Sequence, residues 1–149
     1  MVGGRVGGFD GLLADVLAAA SAVADVAETK AAFRFGDRDP KLEMTVVRLP
    51  GDGGGLAANV NRWRDQLSLS PLGDSDLKQQ IQPLDVAGGQ AMLVDMKGID
   101  AKTKQKARVL GVMVPQGEQA WFYKLMGDET VVEREKDAFT KFVQTVKYH

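Results

Sequence analysis

The sequence predicts an α+β fold: a central, mostly antiparallel sheet with helices packed on its faces, an α/β sandwich. Three observations lead there. The stretch Val109 to Val114 is apolar at every position, so it belongs to a strand covered on both faces. Consecutive strand-like runs are joined by tight turns, which implies antiparallel pairing because parallel neighbours need a long crossover. Three amphipathic helical stretches are available to cover the sheet.

Size and composition fit one domain. The chain has 149 residues, 44% of them apolar and 26% charged, the balance of a folded domain with a single core. Two segments are distinguished: residues 1–30, rich in alanine, and residues 31–149, a single α/β domain. In the first, Leu12, Val16, Ala19, Val23 and Val26 recur at helical spacing and form one apolar stripe. Its functional reading is a signal peptide or anchor, since Ala22, Val23 and Ala24 resemble a small-residue cleavage site. Against that, Arg5 is the only early positive charge and Asp15 borders the run. The apolar run from Val16 to Ala24 falls far short of the roughly 20 residues that a membrane span requires, so no transmembrane span is expected.

From Ala31 the pattern becomes strand-like. Phe33 and Phe35 share a face, "GDRDP" is a turn, and Leu42 to Leu49 is a run rich in β-branched residues. Leu56, Val60, Trp63 and Leu67 then mark the apolar side of a helix whose other positions are Asn59, Asn61, Arg62, Arg64, Asp65 and Gln66. "DSDLKQQI" reads as a short helix capped by Asp74 or Ser75. A strand, a Gly88-Gly89 turn and another strand follow. "KTKQK" is an excursion, after which "ARVLGVMVP" and "EQAWFYKLM" are strands joined by "QG". Asp128 is placed to cap a final helix from Glu129 to about Lys147, with Val132, Phe139, Phe142, Val143 and Val146 on one face.

Several functions are excluded early. Nineteen basic and twenty acidic residues give a net charge of −1, so the chain lacks the positive field of a nucleic-acid binder. There is no cysteine, and the one histidine is His149 at the end of the chain. Thiolate nucleophiles, cysteine or histidine metal sites and imidazole-based triads therefore have no residues to work with. Nothing in the chain asks for a cofactor or a metal.

The candidate chemistry lies in "LPGDGGGLAANVNRWRDQL". Gly53, Gly54, Gly55 and Ala58 match G-x-G-x-x-A between a strand and a helix, and a helix N-terminus attracts anions. The nucleotide-binding Lys-Ser or Lys-Thr is replaced by Leu56-Ala57, and no parallel strand ending in an acidic residue follows. A turn is the reading favoured over a phosphate cradle. The neighbouring helix offers Asn59, Asn61, Arg62 and Arg64 as a polar face suited to carboxylate, phosphate or sugar. Trp63 falls in the apolar stripe and is assigned to the core.

Two blocks, Leu49 to Leu67 and Trp121 to Tyr148, carry a resemblance. With "LPGDGGG", "NVNRWR" and "WFYKLMGD" in place, the chain resembles an uncharacterised bacterial domain of secreted or lipoprotein-type chains. More distantly, its closing hairpin and "FTKFVQTV" helix are similar to the PsbP-like α/β/α fold, which includes extrinsic photosystem subunits and a Ran-binding nuclear import factor. The resemblance implies an extracytoplasmic origin and an accessory or binding role. The match departs at the N-terminus, where the related domains open with a strand.

The leading expectation is a non-catalytic binding or accessory domain whose working surface includes Asp52, Gly53, Gly54, Gly55, Asn59, Asn61, Arg62 and Arg64, with a protein or a small anionic ligand as partner. The rival is a small enzyme acting on an anionic substrate, clamped by Arg62 and Arg64 with Asp52 or Asp65 as base. In a third reading the whole block is a folding determinant.

Overall fold

The computed structural model of the protein describes residues 29–34 and 42–146. The predicted N-terminal helix, Phe35, the "GDRDP" turn and the last three residues lie outside the described residues. Strands β1 (Thr29–Arg34) and β2 (Leu42–Pro50) come first. Helices α1 (Leu56–Gln66) and α2 (Asp74–Gln80) follow, then strands β3 (Gln82–Val86), β4 (Gly89–Ile99), β5 (Lys106–Gln116) and β6 (Gln119–Asp128), and helix α3 (Glu129–Thr145). The strands form one six-stranded sheet in the order β1-β2-β6-β5-β4-β3, every pair antiparallel. The expected α+β architecture is present.

The strand that reads as apolar on both faces is interior. β5 lies between β6 and β4, and every residue from Ala107 to Val114 is buried. Its side chains alternate between two cores, as the period of two requires. Leu110, Val112 and Val114 join Met44, Val46, Leu93, Tyr123 and Leu125 beneath Val132, Phe139, Phe142 and Val143 of α3. Val109 and Met113 join Val94, Met96 and Phe122 beneath Val60 and Trp63 of α1, Leu67 just after it and Leu77 of α2. The helices thus cover opposite faces.

Three local expectations shift. α2 begins after Gly73 in extended conformation, so Asp74 is already helical and no side chain caps the end. Asp74 and Asp76 still sit in its first turn, where the helix dipole favours negative charge. In the β3–β4 hairpin Val86 pairs with Gly89, which leaves Ala87 and Gly88 as the two-residue turn. In the next hairpin Gln116 pairs with Gln119, so the turn is Gly117-Glu118. Asp128 caps α3 as expected, its Oδ1 accepting from the Thr130 amide at 3.0 Å.

The connection from β2 to β3 crosses from one side of the sheet to the other, and α1 is its main element. Trp63 anchors it. The indole lies so close over Gly111 of β5 that a Cβ there would overlap the ring. Trp63 is 4% exposed and Phe139 on the opposite face 3%. Replacing either by alanine removes a large buried ring and leaves a cavity, at a cost of about 3 to 5 kcal/mol. Urea denaturation is expected to show that loss for both Trp63→Ala and Phe139→Ala, and an unchanged midpoint would contradict the packing. Gly111→Ala is expected to destabilise as well, because it pushes the indole off the sheet.

Candidate functional site

The glycine loop closes on itself. Gly51 N donates to the Glu118 carbonyl at 2.7 Å, Gly53 N to the Pro50 carbonyl at 3.1 Å and Gly55 N to the Asp52 carbonyl at 3.0 Å. Gly54 N donates to Asp52 Oδ1 at 3.1 Å. These amides already have partners within the protein, Gly51 on the β5–β6 turn and Gly54 on the Asp52 carboxylate. Gly51, Gly53, Gly54 and Gly55 all have positive φ, the conformation only glycine adopts at little cost. Gly53 is held tightest, because a Cβ would approach Phe122 at 2.5 Å.

The polar residues of α1 are largely turned to the chain itself. Asn59, expected on the solvated face, is 1% exposed. Its Nδ2 donates to the Gly53 carbonyl at 3.1 Å and the Gly55 carbonyl at 2.6 Å, and its Oδ1 accepts from Arg62. Asn61 makes a two-way bond with Leu72, donating to its carbonyl at 3.2 Å and accepting from its amide at 2.8 Å. Arg64 Nε donates to the Ser70 carbonyl at 2.6 Å. Asn59 thus ties the loop before the helix, and Asn61 and Arg64 tie the loop after it. Asp52, Arg62 and Asp65 are the exposed charges of the block.

A groove lies elsewhere on the α1 face. Its volume is about 610 Å³, within the range of small-molecule sites. Ala107 of β5 and Met126 and Gly127 of β6 form its floor, the start of β2 at Leu42 and Glu43 forms one side, and the C-terminal end of α1 at Asp65 and Gln66 and the turn 100–103 form the other. The α1 end is fixed there by backbone bonds: Ile99 N donates to the Leu67 carbonyl at 2.9 Å and Ala101 N to the Gln66 carbonyl at 3.0 Å. Lys124 reaches across the floor to Gln66 Oε1 at 3.0 Å.

The groove is lined by charges of both signs: Glu43, Asp65, Asp100 and Asp128 with Lys102, Lys106 and Lys124. Asp100 also shapes its own turn, its Oδ1 accepting from the amides of Lys102 at 2.7 Å and Thr103 at 3.1 Å. Of the candidate binding and catalytic residues named from the sequence, only Asp65 lines this groove; Asp52, Arg62 and Arg64 do not. A carboxylate and an arginine are therefore not brought together in it.

A charge network on the α3 face escaped the sequence reading. Arg108, 3% exposed, forms a forked pair with Asp95 at 2.8 and 2.6 Å and bonds Glu133 of α3 at 2.6 Å. Lys136 Nζ adds a bond to Asp95 at 3.2 Å. Burial pushes the Asp95 carboxyl up, but the bonds from Arg108 and Lys136 outweigh it and hold the group below its ordinary value. The bond from Arg108 lowers Glu133 likewise, and the bonds that Arg108 donates to Asp95 raise the guanidinium in turn. Glu135 is also buried, one oxygen accepting from Arg134 Nε at 2.9 Å and the other without a hydrogen-bond partner. Among the described residues no group of His, Cys, Asp or Glu is arranged to hold a metal ion.

No protein-family model matches the chain, and no curated protein matches it either. Among solved structures, the chain is similar to PA94 of Pseudomonas aeruginosa, a protein of unknown function described as a candidate regulator. The two share 14% identity with a TM-score of 0.50, over 83% of this chain and 85% of that one, which shows a shared fold alone. A slighter likeness, with a TM-score of 0.35 and 13% identity, links it to LpqN of Mycobacterium tuberculosis, involved in cell envelope biogenesis; it covers 85% of this chain and 94% of that one. Among the described residues no helix is long and apolar enough to cross a membrane.

Two outcomes are expected of this geometry. Gly54→Ala should cost on the order of 1 kcal/mol through its positive φ, and Gly53→Ala more because it also meets Phe122. Millimolar inorganic phosphate should leave the melting temperature of both variants and of the parent unmoved. A salt-resistant rise in the parent alone would make the loop a phosphate site. The second outcome concerns acid. Folded carboxyl values below the unfolded ones contribute stability that is whole above the unfolded value of about 4 and is lost as pH falls through the folded values. Asp95→Asn should destabilise the protein near neutral pH, since it strips the buried Arg108 of its main counter-charge. Its denaturation midpoint should also fall less steeply than the parent's between about pH 5 and pH 2. Parallel acid limbs would remove Asp95 from the account of acid stability.

Proposed function

We propose that the chain is a non-catalytic binding or accessory domain, of extracytoplasmic bacterial origin and PsbP-like α/β/α architecture, whose ligand site is the groove between the end of α1, the turn 100–103 and strands β2, β6 and β5. The observation that carries this reading is the groove itself: concave, charged on its walls and apolar on its floor, with one wall fixed by backbone hydrogen bonds. Pockets of that make-up orient a ligand by a few polar groups while apolar surface contributes affinity. Extracytoplasmic origin and PsbP-like architecture rest on the resemblance of the two sequence blocks.

Weighing against the enzyme alternative, Arg62 and Arg64 do not line the groove, whose one candidate base is Asp65. The block "LPGDGGGLAANVNRWRDQL" is better read as a folding determinant, for its amides, asparagines and Arg64 bond to the chain's own loops. Arg62 remains as an exposed cation beside it.

The two surfaces are separable by nuclear magnetic resonance. An extract of the source organism, added to the isotope-labelled domain, is expected to shift the amides of residues 100–107 and 124–128 and to leave those of residues 51–64 in place. Shifts confined to residues 51–64, abolished by Arg62→Glu, would return the binding surface to the glycine loop and the polar face of α1.

A further inference from the structure

The α3 face of β2 has a cover that α1, α2 and α3 do not supply. Leu42, Met44 and Val46 point to that face, and all three are buried, Val46 completely. Trp121 and Tyr123 are buried beside them on β6, where Trp121 pairs with Arg48 and Tyr123 with Val46. α1 and α2 belong to the opposite face. α3 packs on β6, β5 and β3, and Glu133 and Lys136 turn one of its flanks to Arg108 of β5 and Asp95 of β4. It therefore leans away from β2, which lies on the other side of β6.

α3 itself carries a second sign of that cover. Ala138 lies about 160° round the helix from Lys136, on the flank toward β2. A methyl group there points along the sheet and not into it, so it would be open to water beside a bare strand. Ala138 is buried instead. A neighbour stands next to α3 and over β2.

Such a neighbour has to be apolar, as long as the exposed stretch of β2, and attached close by. Residues 1–28 meet all three conditions. Thr29, the first residue of β1, pairs with Arg48, so the chain that precedes it reaches the sheet beside Trp121. Leu12, Val16, Ala19, Val23 and Val26 supply the apolar stripe at helical spacing. A helix from Leu12 to Val26 is about 21 Å long, and the strand from Leu42 to Arg48 about 20 Å. The other candidates, "FGDRDPK" at 35–41 and "KYH" at 147–149, are too short and too polar. We propose that residues 12–26 pack on the α3 face of β2 alongside α3, running from its Leu42 end to its Arg48 end with the stripe turned to Met44 and Val46. The segment is then a layer of the domain, in place of a signal peptide or anchor.

The chain has no cysteine, so a single introduced one can carry a nitroxide spin label in the full chain. Ala14→Cys and Ser21→Cys place it off the stripe. Trp121 and Met44 report on the α3 face, and Trp63, Met96 and Met113 on the α1 face. The label at position 21 is expected to abolish the indole resonance of Trp121, and the label at position 14 the methyl resonance of Met44, while the three reporters of the other face keep their intensity. Loss of signal on the α1 face, or on neither face, would overturn the proposal. Loss of the Trp121 signal when spin-labelled protein is mixed with untagged, isotope-labelled protein would also overturn it, by assigning the face to a second copy. A second measurement needs no label: Val23→Asp, which sets a charge in the stripe, is expected to lower the melting temperature well beyond Ser21→Asp. Equal effects of the two substitutions would count against the stripe as the contact.

Discussion

The indole of Trp63 resting on Gly111 is the contact on which the α1 layer depends. The sheet order places β2 next to β6 while β3 lies on the far edge, so the chain between them must cross the sheet. A crossing segment has no strand pairing to hold it and relies chiefly on side-chain packing. Glycine in β5 lets a large ring approach the backbone, at the usual cost of a residue that packs nothing in a strand. Once the ring is seated, Leu67 is fully buried and its carbonyl takes the Ile99 amide. The end of α1 is thereby fixed against the end of β4, and that junction is one wall of the groove. Site geometry follows from a core contact on the same helix.

The opposite layer is held by different means. α3 packs through Val132, Phe139, Phe142 and Val143, yet the sheet beneath its first turns presents Asp95 and Arg108 where apolar residues would be expected. A buried guanidinium is tolerable only if its donors are satisfied, and here Asp95 takes two and Glu133 one. Such a pair adds little net stability over apolar residues of the same shape, because desolvation offsets the attraction. Its effect is positional. It requires Glu133 and Lys136 of α3 to face β4 and β5, which fixes the rotation of the helix about its axis.

Much of this fold was legible because it rests on local periodicity. The apolar run in β5, the stripe through Val60 and Trp63, and the Asp128 cap each follow from neighbours a few residues apart. The site was less legible because its parts meet only through non-local pairing. Asp65, Lys102 and Lys124 come from a helix, a turn and a strand, and no spacing rule links them. The polar face of α1 misled for a related reason: Asn59 and Asn61 have the composition of a binding surface, but their partners are carbonyls and amides of loops at either end of the helix. The Arg108 network did leave a trace. Asp95 and Arg108 each interrupt a largely apolar strand, and a buried charge there needs an opposite one nearby.

The groove and the charge network, finally, show why a sheet of this kind can carry a site at one end without losing its core. Along most of β5 both faces are covered and only apolar side chains fit, as from Val109 to Val114. Toward its first residues, α1 has ended and α3 has only begun. On one face that gap is closed by the Arg108 network, whose charges satisfy one another. On the other face the chain turns outward at residues 100–105, where Lys104 adopts positive φ and Asp100 pins the turn, and the gap stays open as the groove. Charges lining that opening are stable because water reaches them, and the same access lets a ligand replace the water. Exposed residues there, such as Asp65 and Lys102, are solvated and accessible, whereas the charges on the closed face are committed to each other.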